Sequence, residues 1–341
     1  MTRALIVHRA SPGTSVQDAG RPGHLADGLS RGGAADRLAL AEGAALLRQD
    51  TACAALEMPG MGGEFEVTKD MRIALTGAPM RASIDGARIV WNASHALPAG
   101  ARLSIGAAES GSYGYLHLGG GLATPSILGA RSAHLAAGIG APLAPGSRLP
   151  VAPDPRPGDT GQLLDVPSRF EGGTIRVVPG PQTGFFSPAE RERFTSMGFR
   201  RDTRGNRMGV RLLCDGEGFH SEAGLSVLSE VITPGDIQIT GDGSPFVLLS
   251  ECQTTGGYPR IGSVLPCDLP RVAQARPGDT LRYTFVTLDE AVEAERRAAS
   301  HIRTLRNHLR PLVRDPGTMH DLLAYQLISG VTAGDDLERG M

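Results

Sequence analysis

The run RIALTGAPMRASIDGARIVWNASHALPAGARLSIG, Arg72 to Gly106, decides the fold class. Its apolar pieces RIALTG, RIVW and RLSIG are each cut off by Gly, Asp or Pro within a few residues. Short apolar runs bounded by turn residues make antiparallel strands, because a helix would need its apolar positions to recur over several turns. The same rhythm reaches back to EFEV and forward to YGYLHL, so residues 54–118 read as sheet. Upstream, ALIVH is a strand and residues 11–33 form a polar, glycine-rich loop. GAADRLALAEGAALLRQD then reads as a helix with Leu38, Ala41, Ala45 and Leu46 near one face.

Residues 151–173, rich in Pro, Gly and Asp, read as a linker between a first β domain (1–150) and a second (174–287). The second block has strands in TIRVVPG, LSVLSEVI, GDIQIT, PFVLLS and TLRYTFV. A short helix is predicted at SPAERERF, with Ser187, Pro188 and Glu190 as a capping box. LPAGARLSI and RPGDTLRYT echo each other across the two blocks, which suggests a tandem pair. From Thr287 the pattern turns helical, forming a C-terminal extension over 288–341. Thr287 and Glu290 make a second capping box. Ala291, Ala294, Ala298, Ile302, Leu305 and Leu309 share one face, expected to dock on the protein's own barrel, with a partner subunit as the alternative target. DLLAYQLISG reads as a further turn or two of helix.

The 341 residues suffice for two domains, and a formal charge of −2 points to no nucleic-acid partner. Gly and Pro number 46 and 24, which demands many turns. Lys69 is the sole lysine and sits in a hydrophilic stretch, so no lysine nucleophile is expected. Cys53, Cys214, Cys252 and Cys267 lack C-x-x-C spacing and read as reduced thiols. No stretch is long and apolar enough to span a membrane, and the expected location is cytoplasmic. There is no P-loop, no H-E-x-x-H and no zinc spacing, so no metal site is expected. GLSRG matches a nucleophile elbow by letter, but loop rather than strand precedes Ser30, so Ser30 is not expected to be a nucleophile.

Three clusters carry chemistry. The first is GTSVQDAGRPG, with Gln17, Asp18 and Arg21; its structural alternative is a turn. The second is GGGLATPSILGARSA, with Arg131 after a glycine run; its alternative is a wide loop whose arginine caps carbonyls. The third, ECQTTGGYPRIG, offers Gln253, Thr254, Thr255, Gly256, Gly257, Tyr258 and Arg260, followed by Asp268 and Gln274; its alternative is a bulged turn. Arg200, Arg201, Arg204, Arg207 and Arg211 also crowd together, and read as solvated surface first and as an anion site second.

TSVQDAGRPG, GGAADRLAL, ALTGA, YLHLGGGL, LGARSA, VVPGPQ, RMGVRL and QTTGGYPRIGSVLPCDL occur in one order. As an ordered set they resemble the C subunit of ATP-dependent 5-oxoprolinase, a family also known as allophanate hydrolase subunit 2 or KipA-like, and related to the biotin-dependent carboxyltransferase domain of urea carboxylase. The resemblance covers residues 3 to 287. It implies a mainly β chain with a few helices, built as two tandem cyclophilin-like β-barrel domains plus C-terminal helices. It implies a hydrolase of cyclic amides that is active only in a complex. The partners would be a B-type subunit (allophanate hydrolase subunit 1-like) and a larger hydrolase subunit, with ATP and Mg2+ as cofactors; a homo-oligomer is compatible with it. Asp18, Gln253 and Arg131 would then be catalytic, and Gln17, Arg21, Thr254, Thr255, Gly256, Gly257, Tyr258, Arg260, Asp268 and Gln274 would bind substrate. Alternatively, the chain is half of a biotin-dependent carboxyltransferase, or a KipA-like protein that binds an inhibitor protein. The chain departs from the family pattern at Ala35, Asn206, Arg260 and Ala130–Arg131–Ser132–Ala133.

Overall fold

A computed structural model describes residues 2–224 and 226–313. The quoted run forms strands Met71–Gly77, Met80–Ile84, Ala87–Ile89, Ser94–Leu97 and Arg102–Ala108. Asp85 and Gly86 close one hairpin with φ of 47° and 84°, the two-residue turn that matches strand twist.

These strands divide between two sheets. One runs Arg148–Pro150, Ala4–Ala10, Gly63–Val67, Arg102–Ala108, Met80–Ile84, Ala87–Ile89; the other runs Ser15–Gln17, Ala55–Pro59, Tyr113–Leu118, Met71–Gly77, Ser94–Leu97. Leu5, Val7, Phe65 and Leu103 from the first meet Leu56, Ile73, Leu75 and Leu116 from the second in a shared core. The later residues close into a seven-stranded barrel: Gly173–Val178, Arg260–Val264, Asp236–Ile239, Pro245–Leu248, Gly209–Leu213, Gly198–Asn206 and Thr280–Phe285. The ring closes through a parallel pairing of Gly173–Val178 with Thr280–Phe285. Phe194, Phe199, Phe219 and Tyr283 fill its interior as an aromatic cluster. The echoed phrases both occupy a turn entering a strand, pivoting on Gly100 (φ 78°) and Gly278 (φ 93°).

The barrel core continues through Tyr113 and Tyr115 into helix α1, Arg37–Leu46, so the two halves share a buried seam. Helix α2 is Pro188–Ser196. Its predicted capping box forms by half: Ser187 Oγ accepts from Glu190 N (3.2 Å), while the Glu190 carboxylate holds Arg193 and the His220 amide instead. Helix α3 is Leu269–Gln274 and α4 is Leu288–Thr304. The Thr287–Glu290 box on α4 is complete. The α4 face docks on the chain itself, through Ala291 and Ala294 against Leu265, and through Leu305 against Leu46 and Leu47. Among its described residues, LSVLSEVI contributes only Glu230–Val231 as strand, paired to Thr255–Gly256. The expected linker is stitched down: Gln162–Leu164 pairs with Leu309–Pro311, and Arg169 enters the seam. All four cysteines are free, and no described helix is long and apolar enough to cross a membrane. The predicted DLLAYQLISG helix lies outside the described residues.

Candidate functional site

The seam concentrates polar groups that a core normally excludes. At its centre Arg207, in the turn between two barrel strands, is buried. Its Nε donates to Glu251 Oε1 (2.5 Å), Nη1 to Glu57 Oε1, and Nη2 to the Gly33 carbonyl. Glu57 comes from the first half and Glu251 from the barrel, so one guanidinium clasps both. Burial alone would lower the Arg207 guanidinium; Glu57 and Glu251 outweigh it and raise it. Glu57 Oε2 also accepts from Tyr115 Oη (2.6 Å) and Ala35 N (2.8 Å). Asp36 caps α1 at Ala39 N (3.0 Å) and receives Arg169 Nε and Gln274 Nε2, each at 2.8 Å. Arg169 completes a bidentate fork onto Glu42. Arg207 therefore corrects the solvated-surface reading for its own position. Arg201 is buried as well, whereas Arg200 and Arg204 are exposed.

Beside this clasp, Ser30, His134 and Glu251 have the composition of a nucleophilic triad. Ser30 Oγ lies 2.9 Å from His134 Nε2, and His134 Nδ1 lies 4.0 Å from Glu251 Oε2. The tautomer argues against base catalysis. Ala137 N donates to Nδ1 (3.2 Å), and burial lowers the His134 pKa, so a neutral ring carries its proton on Nε2 and donates to Ser30. Glu251 is occupied by Arg207 and by Ala136 N (3.0 Å).

Around Arg21 lies a set of polar atoms without partners. Arg21 is 1% exposed; Nη2 donates to the Ser132 carbonyl and Nε to that of Ile127 (3.4 Å). Among the described residues, Arg21 Nη1, Gln17 Oε1, Ser132 Oγ and Ser250 Oγ are buried and unsatisfied. Gly32 fits between His134 and Arg21: a Cβ there would sit 3.0 Å from His134 Cδ2 and 3.5 Å from Arg21 Nη1. Buried polar groups left unpaired are costly, so each marks a place where a ligand or water completes the bonding. Ser132 also lines a cavity of about 290 Å³ with Val16, Ile127, Arg131, Ile139 and Leu143.

The predicted residues separate into five places. Gln17, Asp18, Arg21 and Arg131 converge: Asp18 Oδ1 accepts from Gly20 N (2.9 Å) and Oδ2 from Arg131 N (2.6 Å), while the Arg131 guanidinium turns to the Thr124 carbonyl. Gln253 and Tyr258 line another cavity, about 260 Å³, with Asn206, Met208 and Gln238. Thr254, Thr255, Gly256 and Gly257 form the ribbon against residues 227–232. Arg260 anchors that ribbon through Glu230 and Asp236. Asp268 is paired with Arg176 (2.6 Å), and Gln274 binds Ser112 N and Tyr113 N (both 2.9 Å) across the seam. Of the third cluster, Glu251 reaches this region through His134 (4.0 Å), and its neighbour Ser250 through its carbonyl, which accepts from Gly32 N (2.9 Å).

Comparison with known proteins settles the lineage. The model of the carboxyltransferase domain, subdomain A and B, matches residues 27–285. The chain belongs to this family. It is 34% identical to the C subunit of 5-oxoprolinase from Escherichia coli over 85% of this chain and 94% of that protein. It is 31% identical to the C subunit of the Haemophilus influenzae 5-oxoprolinase over 86% and 94%. The solved structure of TTHA0988 superposes with a TM-score of 0.75 at 30% identity, over 83% of this chain and 56% of that one; the chain thus spans about half of that protein. The K. lactis urea amidolyase shares the fold, with a TM-score of 0.80 at 24% identity over 92% of this chain and 21% of that one.

Members of this carboxyltransferase-domain family are associated with ATP-dependent and biotin-dependent enzymes, and the two groups make different demands on a site. A nucleotide with Mg2+ calls for cationic donors on its phosphates and one or two carboxylates beside them. Here Arg207, Arg169 and Arg72 are taken by carboxylates, and no group of three metal-ligating side chains occurs among the described residues. The Arg21 set instead offers one cationic donor, one amide acceptor and two hydroxyls. That inventory suits a small amide or ureido ring.

Proposed function

We propose that this chain is the C subunit of a 5-oxoprolinase and that it binds 5-oxoproline at the Arg21 group. The carrying observation is the 34% identity to the E. coli protein across 94% of that protein's length. The substrate presents a carboxylate, a lactam N–H and a lactam carbonyl. Arg21 Nη1 donates to the carboxylate, Gln17 Oε1 accepts from the N–H, and the hydroxyls of Ser132 and Ser250 donate to the carbonyl. His134 holds the Ser30 hydroxyl, and Asp18 fixes the loop that carries Arg131 and Ser132. Hydroxyl donation makes the lactam carbon more electrophilic, so catalysis from this chain is positioning and charge stabilisation. The nucleotide belongs on a partner, the B-type subunit or the larger hydrolase subunit, and the complex works in the cytoplasm.

The test is reconstitution. The chain mixed with its B-type partner, the hydrolase subunit, ATP and 5-oxoproline is expected to release glutamate, and Arg21→Met to abolish that release. No release with every component present would overturn the proposal. The carboxyltransferase alternative requires a biotinyl carrier, so glutamate release without biotin excludes it.

A further inference from the structure

At the Pro59–Gly60 end of the seam the halves part to leave a cleft of about 350 Å³, lined by Gly60, Tyr113, Arg201, Gly205 and Arg276. Arg201 is 8% exposed, and among the described residues no carboxylate pairs with it. Its Nη1 donates to the Asp202 carbonyl (2.9 Å), and its Nε is buried without an acceptor. The Asp202 carboxylate is engaged by Arg204 and Arg211. Gly205 supplies the space for the guanidinium, since a Cβ there would lie 2.7 Å from Nη2. Arg276 donates to the Glu109 carbonyl (2.7 Å) and leaves a second cation at the exposed rim. Burial pushes the Tyr113 phenol up to about 12, so it stays protonated and able to donate.

We propose that this cleft is a binding site for a small organic carboxylate, held by the free Nε–Nη2 edge of Arg201. With Nη1 turned away, the guanidinium offers one edge, which matches the two coplanar oxygens of a carboxylate. A phosphate would call for more donors than one enclosed guanidinium edge and a phenol. A cation desolvated without a counter-charge is unfavourable, and an incoming anion relieves that cost. The site is distinct from the Arg21 group and does not rest on the 5-oxoprolinase reading.

The experiment titrates the purified full chain by calorimetry with glutarate and, separately, with inorganic phosphate at constant ionic strength. Glutarate is expected to bind at one site, weakened roughly tenfold or more by Arg201→Met. Gly205→Ala, which crowds the guanidinium and keeps its charge, is expected to weaken it severalfold, and Arg21→Met to leave it unchanged. Equal glutarate affinity in wild type and Gly205→Ala, loss of binding in Arg21→Met, or preference for phosphate would each overturn the proposal. If Arg201→Met fails to fold, the Gly205→Ala and Arg21→Met arms decide.

Discussion

Arg201 and Arg207 stand six positions apart on one barrel hairpin, and both are more than nine-tenths buried. The molecule treats them in opposite ways. Arg207 meets two glutamates and a carbonyl, and joins the halves. Arg201 meets one carbonyl and opens onto a cleft. Burial alone therefore does not tell a structural cation from a ligand-binding one. The counter-charge does: where the fold supplies it the arginine is a clasp, and where the fold withholds it a ligand can bring it.

The comparison breaks most sharply at Arg207. Arg207→Met leaves Glu57 and Glu251 buried without their cation, and should cost about 3–5 kcal/mol in urea denaturation. A loss below about 1 kcal/mol would make the clasp energetically idle. Replacing all three residues together, with Glu57→Gln and Glu251→Gln added, should recover part of that loss.

His117 sharpens it from the neutral side. This ring is buried, bonds Thr76 Oγ1 (2.8 Å), and has its pKa lowered by burial from 6.5 to about 3. A folded pKa below the unfolded one means that its contribution is fully present above pH 6.5 and is lost as pH falls toward 3. The loss is on the order of a few kcal/mol. His117→Asn should flatten the stability profile across that window. An unchanged acid limb would assign it to other groups.

Arg201→Met makes the opposite prediction from Arg207→Met. Removing a buried cation that lacks a counter-ion should leave ligand-free stability unchanged or raise it by about 1 kcal/mol. A marked fall in melting temperature would place Arg201 with the clasps. Thr287→Ala, in the exposed capping box of α4 and away from both arginines, should cost about 0.5–1 kcal/mol and sets the floor of the scale.

Much of the architecture was legible. Strands over 54–118, helix α1 and the Thr287 capping box all follow from local periodicity and turn chemistry, which need only neighbours in sequence. Half a capping box at Ser187 failed because Arg193, one turn on, competes for Glu190. The site was less legible. Asp18, Arg21 and Arg131 stood out as polar groups in glycine-rich loops, and the structure gathers them. Ser30 Oγ bonds His134 across 104 positions, a pairing that no local pattern signals. Gln253 and Glu251 are two residues apart, yet Gln253 lines a cavity while the Glu251 carboxylate is buried against Arg207 and Ala136 N.

Along the chain, spacing and turn residues were enough for most element types and the mainly β class, and the resemblance of the ordered motifs gave the family. They act over a few bonds, and the order of motifs survives in any conformation. Only the folded molecule could decide which arginine is satisfied. Glu57 and Arg207 lie 150 positions apart, and Arg207 and Glu251 lie 44 apart. The worth of a charge depends on which oxygens surround it once water has gone, and that is a property of space rather than of sequence.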